Sequence, residues 1–306
     1  MASKKTEEIR SVNGKTVTLT NLNKVFWPKE KYTKGDLINY YTSVAKYIMP
    51  YLKDRPESLN RHPNGITGQN FFQKNVAQMP PDWVTTQEIF SESNGTNIRY
   101  LICQNEATLI YLANLGCIEI NPWFSTIKHL DKPDYLAIDL DPEGVTFDAV
   151  IECALAVKEV LERAGAPGFP KTSGATGIHI YVPLKGKYDY EISKEFAHVI
   201  AQITNEMLPD TTSIERSPSK RQHRIYVDFL QNRKGQTLAA PYSVRPKPMA
   251  TVSTPLKWKE LKKGLTPENF TIKNMLKRIE RLGGDIFGGV FGTGVDIKKC
   301  LKNLGA

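Results

Sequence analysis

The chain has 306 residues, 40% of them hydrophobic, and a formal net charge of +9, enough apolar content for a real core and one or two domains. The basic excess suits a polyanionic partner without separating DNA from RNA or a membrane surface. Cys103, Cys117, Cys153 and Cys300 are scattered with no C-x-x-C, which disfavours a zinc knuckle or a disulfide framework. No stretch approaches the roughly 20 apolar residues of a membrane span, and the charged start MASKKTEEIR lacks a signal peptide's apolar segment, so the expectation is a soluble intracellular protein.

In chain order, residues 1–14 read as a flexible charged arm. KTVTLTNLNKVFWP begins with the period-two alternation of a strand and turns at Pro28. TKGDLINYYTSVAKYIMPYL predicts a helix capped by Thr33, with Leu37, Tyr40, Tyr41, Val44 and Ile48 at helical spacing. SLNRHPNG is a strand ending in a Pro-Asn-Gly turn, NIRYLICQN a second strand, NEATLIYLANLG a helix stopped by Gly116, and CIEINPW the next strand. YLAIDLDPEG is a buried strand that ends in two acids, and TFDAVIECALAVKEVLERAG is an amphipathic helix from Thr146 to Gly165. FPKTSGATGIHIYVPL turns through glycines into an alternating strand, SKEFAHVIAQITNEML is another long helix, and RIYVDFLQN is a strand ending in an acid. This order predicts a mixed α/β sheet with helices on one face. The glycine-rich RLGGDIFGGVFGTG reads as loosely packed.

Asp139 and Asp141 stand two apart, so on a strand they share a face. If Asp228 lies on the adjoining strand, three carboxylates converge and repel unless a cation compensates. Oxygen ligands of this kind favour Mg²⁺ or Mn²⁺, and a pair of such ions suits in-line phosphoryl transfer. Taken singly the parts are ambiguous. Asp-x-Asp-Pro is also an ordinary turn, His179 alone reads as a packed strand histidine, and SGATG matches neither the P-loop nor G-x-G-x-x-G.

Taken together, Asp-Leu-Asp-Pro, Ser-Gly-x-x-Gly-x-His-x-Tyr-x-Pro and Val-Asp-Phe resemble the three motifs of the archaeo-eukaryotic primase superfamily. Within it the chain is similar to the polymerase domain of bacterial ligase D and its stand-alone relatives, the polymerases of non-homologous end joining, from about Leu19 to Phe291. The resemblance implies the primase fold, an α/β arrangement of mixed central sheets with flanking helices and an RRM-like catalytic core. It places a DNA-end-binding part at about 15–130, a catalytic core at about 131–250, a domain end near 295 and a tail at 296–306. It implies two Mn²⁺ or Mg²⁺ ions held by Asp139, Asp141 and Asp228, the last also helping to activate the primer 3′-hydroxyl.

The same resemblance assigns triphosphate binding to Ser173, Gly174, Thr176, Gly177 and His179, with the turn's backbone N–H groups forming an anion nest, and to Arg221 and Arg245. It assigns a DNA 5′-phosphate to Asn21, Lys24 and Lys34, template bases to Phe71 and Phe72, and flanking DNA contacts to Arg61 and Lys74. The implied partners are DNA with gaps, 5′-phosphorylated or 3′-overhanging ends, NTP or dNTP with ready use of ribonucleotides, and a ligase and an end-binding protein acting in trans. The implied location is a prokaryotic cytoplasm, at the nucleoid. There are two departures. Thr176 stands where relatives often carry lysine, a charge that Lys171 could supply, and Asn121 stands where many carry histidine, able to hydrogen-bond to nucleotide but uncharged. Competing readings are a primase that makes primers de novo, a catalytically weak end-binding or synapsis module, and a metal-dependent nuclease, which would not need a triphosphate turn.

Overall fold

In the computed structural model, which describes residues 7–76, 80–92 and 94–306, the chain divides into two units. The first takes the chain up to Trp123 together with Ala239–Val252 and Phe270–Gly284; the second takes Phe124–Leu238, Ser253–Asn269 and Asp285–Ala306. The contiguous division drawn from the sequence does not describe this, because the chain leaves and re-enters each unit. No helix among the described residues is long and apolar enough to cross a membrane.

The first unit opens with a hairpin of β1 (Glu7–Val12) and β2 (Lys15–Thr20). Asn13 and Gly14 both have positive φ, 49° and 72°, which is the geometry a two-residue hairpin turn demands. Residues 7–12 are therefore a strand and not an arm; the first six residues lie outside the described ones. β3 (Val25–Trp27) and β4 (Tyr32–Thr33) lead into α1 (Lys34–Leu52). Thr33 caps α1: its hydroxyl accepts from the Asp36 N–H while the Asp36 carboxylate accepts from the Thr33 N–H. Leu37, Tyr41, Val44 and Ile48 form its buried stripe. β5 (Glu57–Arg61) pairs on one side with β6 (Phe71–Gln73). β7 (Thr86–Ser91) and β8 (Thr96–Leu101) form a second hairpin, α2 (Glu106–Asn114) follows, and β9 (Cys117–Pro122) pairs with the other side of β5.

The second unit is built on a five-stranded sheet. β10 (Tyr135–Pro142) is its centre, α3 (Phe147–Ala164) follows, then β11 (Phe169–Thr172), β12 (Ile178–Pro183), α4 (Tyr190–Met207), β13 (Thr212–Ser213) and β14 (Ile225–Asp228). The order is β11-β12-β10-β14-β13, antiparallel except for the β13–β14 pair. Alternate residues of β10 and β12 (Leu136, Ile138, Leu140, Ile178, Ile180, Val182) are fully buried, and α3 and α4 pack on the sheet. Later in the chain, α5 (Met275–Arg281) belongs to the first unit and α6 (Ile297–Leu304) to the second.

The opposite face of the sheet is divided between two chemistries. At one end Tyr135 and Tyr181 meet rings of Phe124, Phe287 and Phe291, with centroids 4.9–6.0 Å apart. The glycine-rich segment is thus packed and not loose: Phe287 and Val290 are buried, and Gly289 lies flat on the Phe169 ring where any Cβ would collide. The tail at 296–306 is a helix, α6, capped by Asp296. At the other end of this face stand the acids.

Candidate active site

Residues opposite one another in an antiparallel ladder share a face, and the register runs a single polar row across four strands. Lys171 on β11 faces His179 on β12, His179 faces Asp139 on β10, and Asp139 faces Asp228 on β14. Asp141, two residues on, faces Tyr226. The sheet therefore brings all three predicted carboxylates to one face at the strand ends, with the motif histidine beside them.

Each acid has protein partners. His179 Nε2 lies 3.3 Å from Asp139 Oδ1. Asp141 Oδ2 lies 3.5 Å from an Arg221 guanidinium nitrogen. Asp228 accepts from the Leu230 N–H at 2.7 Å and from Gln231 Nε2 at 3.0 Å. Burial pushes the Asp228 carboxyl above its ordinary pKa; these hydrogen bonds and the Arg221 charge oppose that shift. Among the described residues no three acidic, histidine or cysteine side chains close into a ready metal cage. The donor chemistry nonetheless fits a hard cation, with carboxylate oxygens from adjacent strands on one face.

Arg221 is braced in place. Its guanidinium donates to the carbonyls of Glu215 and Arg216 at 3.0 and 2.7 Å and lies 4.1 Å from the centroid of the Tyr226 ring. Arg216, Lys220 and Arg224 belong to the same basic loop, and sequence reasoning passed them over because a run of surface charges is an ordinary solvated face.

The turn after β11 departs from expectation. Ser173 Oγ accepts the N–H groups of Ala175 and Gly177 at 3.1 and 3.0 Å. Those two donors close the turn on itself and are not turned outward as an anion nest. Ser173 is thus the pin of the turn, and Thr176 is its exposed tip. Gly177 is required: a Cβ there would sit 2.2 Å from the Leu140 carbonyl of β10, so only glycine lets the turn lie against the Asp-x-Asp strand. Lys171 cannot replace the missing motif lysine at a phosphate, because it has no exposed surface.

The first unit carries a separate cationic cluster. Lys34 is 5% exposed and donates to the Thr20 carbonyl at 2.6 Å. Burial, then the charges of Lys24 and Arg61, push its pKa down to about 8. Lys24 Nζ is 2.5 Å from Asn64 Oδ1, and Asn21 adopts positive φ in the turn whose carbonyl receives the Lys24 N–H. Asn64 was missed from the sequence, where it read only as part of a turn. Arg61, expected on the template, joins this cluster electrostatically, donates to the Leu115 carbonyl and Gln73, and lies 5.2 Å from the Phe71 ring centroid. Phe71 and Phe72 point to opposite faces of edge strand β6, yet both are exposed, 46% and 61%; Lys74 follows them, also exposed.

Asn121 and Arg245 lie in the first unit. Asn121 is buried and its amide donates to the Ser58 carbonyl at 3.2 Å. Arg245 Nε donates to Glu119 at 2.9 Å, and Asn60 approaches the same carboxylate at 3.4 Å. Glu119, a buried acid on a strand, escaped the sequence reading for want of a visible partner.

The family model of the LigD primase-polymerase domain matches residues 33–287. The bifunctional non-homologous end joining protein LigD of Bacillus subtilis is 35% identical over 270 residues, 88% of this chain and 43% of that protein. The multifunctional non-homologous end joining DNA repair protein LigD of Mycobacterium tuberculosis is 32% identical over 260 residues, 82% of this chain and 34% of that protein. The chain thus spans less than half the length of these relatives. The solved polymerase domain of Mycobacterium tuberculosis ligase D in complex with DNA superposes with a TM-score of 0.83 at 29% identity, covering 91% of this chain and 99% of that one. The chain belongs to the LigD primase-polymerase domain family, a family of nucleotidyltransferases.

Proposed function

We propose that this domain is a template-directed polymerase that fills gaps and extends broken DNA ends in non-homologous end joining. The observation that carries the reading is the row of Asp139, Asp141 and Asp228 on one sheet face beside the Ser173-pinned turn. Three adjacent carboxylates repel, and cations between them would offset that repulsion. Asp139, Asp141 and Asp228 would hold two Mn²⁺ or Mg²⁺ ions, which would neutralise charge at the reacting phosphate and lower the pKa of the attacking hydroxyl. Arg221, already braced by two carbonyls, offers a preorganised donor to phosphate oxygens. His179 stands on the same face beside Asp139, and the exposed Thr176 lies at the turn's tip.

In the first unit, Lys24, Lys34, Arg61 and Asn64 would receive a DNA 5′-phosphate; three like charges held together in the free protein favour an anion there. The exposed Phe71 and Phe72 would stack on bases. The small residues of the turn offer no bulk against a 2′-hydroxyl, so ribonucleotides should be accepted. A ligase and an end-binding protein would act with it at the nucleoid. The test is extension of a gapped, 5′-phosphorylated duplex with NTP or dNTP and Mn²⁺. Extension by the protein and none by Asp228→Ala supports the reading. Dinucleotide synthesis on unprimed single strands would favour a primase, and extension undiminished by Asp228→Ala would refute the site.

A further inference from the structure

Lys171 is the most deeply buried cation on the active face, with no exposed surface. Lysine is almost never fully buried unless something holds it. Here Nζ lies 2.9 Å from His179 Nδ1 and 2.5 Å from Ser253 Oγ, and 5.6 Å from the centroid of the Tyr181 ring. Ser253 is itself fully buried and donates onward to the Thr172 carbonyl at 3.1 Å. His179, 3% exposed, is thus gripped at one ring nitrogen by Lys171, while the other lies 3.3 Å from Asp139 Oδ1. The result is a continuous chain, Ser253–Lys171–His179–Asp139, that ends at the first carboxylate of the row.

An ammonium group only donates. The ring nitrogen facing Lys171 must then accept, and the proton of a neutral imidazole is left on Nε2, the nitrogen that faces Asp139. We infer that Lys171 is a positioning residue, fixing the tautomer and ring orientation of His179 so that its Nε2–H points at Asp139. Without Lys171 that donor to Nδ1 is lost, and a flipped ring that presents Nδ1–H to Asp139 becomes accessible. The partner of one ring nitrogen decides what the other can do, as it does for histidines that serve reactive centres. The consequence for catalysis rests on the reading of the carboxylate row as the reaction centre; the tautomer assignment does not.

The test is a long-range proton–nitrogen correlation spectrum of protein labelled with ¹⁵N-histidine, free of metal and DNA. The chain has 5 histidines, and the His179 signals are those lost in His179→Gln. The wild type should show His179 with Nε2 protonated and Nδ1 bare. Lys171→Met should replace this with a tautomer mixture, and Lys171→Gln, which retains a donor, should restore it in large part. A wild-type ring protonated on Nδ1, or an unchanged pattern in folded Lys171→Met, would overturn the inference. If Lys171→Met does not fold, the wild-type pattern still decides. In primer extension, Lys171→Met should lose about 10–100-fold in kcat/KM, the usual scale for a supporting partner one shell out, with partial recovery in Lys171→Gln. If the tautomer shifts as expected while neither Lys171→Met nor Asp228→Ala affects extension, the polymerase assignment of this face fails and the role of Lys171 at His179 stands.

Discussion

Replacing Lys34 with methionine should make the protein more stable while depriving it of 5′-phosphate recognition. Lys34 is 5% exposed, and its pKa falls from 10.5 to about 8, chiefly through burial and then through Lys24 and Arg61. A drop of that size corresponds to ~3 kcal/mol of native-state destabilisation when the group is charged. Methionine keeps the unbranched stem and removes the charge. It also removes the hydrogen bonds to Thr20 at 2.6 and 3.3 Å, a loss of about 1.5–3 kcal/mol because the donor is charged. The net gain should be up to about 1.5 kcal/mol at pH 7, or as much as about 4 °C in Tm for a domain of this size.

The pH dependence fixes the cause. The folded pKa lies below the unfolded one, so the penalty is fully present below about pH 8 and is relieved as pH rises from there towards the unfolded value. By pH 9.5 the unfolded chain still binds the proton that folded Lys34 has released, and the advantage of Lys34→Met should disappear. Thermal melts of both proteins at pH 7 and 9.5, without DNA, measure this directly; other titrating groups cancel in the difference. A variant less stable than wild type at pH 7, or a difference that does not change with pH, would refute the account of this cluster as a strained cationic pocket. In the same variant, the preference for 5′-phosphorylated over 5′-hydroxyl gaps should fall at least about tenfold, the scale of one charge-assisted hydrogen bond, while extension on an open template–primer changes little.

Three further outcomes are expected. Asp228→Asn should abolish nucleotide addition yet raise Tm at pH 7 in chelator; the folded pKa of Asp228 is raised, chiefly by burial, so its penalty appears as pH climbs above the unfolded value, and wild type and variant should converge below about pH 4. Phe287→Ala should cost about 3–5 kcal/mol, since Phe287 is 1% exposed and meets both Phe169 and Tyr181, and a melt unchanged within 1 °C would mean the glycine-rich segment is dispensable. Ser173→Ala leaves the N–H groups of Ala175 and Gly177 without their acceptor and should lower incorporation of NTP and dNTP alike; a loss confined to NTP would show that Ser173 reads the 2′-hydroxyl and does not merely pin the turn.

What the sequence by itself determined was local and periodic. Thr33, Thr146 and Gly165 marked helix ends because capping is a contact within one turn of chain. The apolar alternation of β10 and β12 was legible because a strand's two faces meet different surroundings wherever it pairs. The triad of acids was legible as a pattern, since Asp139 and Asp141 share a face by spacing alone. The β1–β2 hairpin could have been read from Asn13-Gly14 but was masked by the charges around it. Tertiary structure decided the rest. That Asp228 pairs opposite Asp139, and Lys171 opposite His179, follows from strand order and register, which no local spacing encodes. Whether a lysine is a solvated charge or a buried one depends on what folds over it: Lys171 and Lys34 read alike in the sequence, yet one stands behind a histidine and the other in a cluster of cations. The glycine-rich segment looked loose because its composition carries no periodicity, and its order comes from aromatic rings on Tyr135 and Tyr181, more than 100 positions away along the chain, through contacts that only the folded sheet creates.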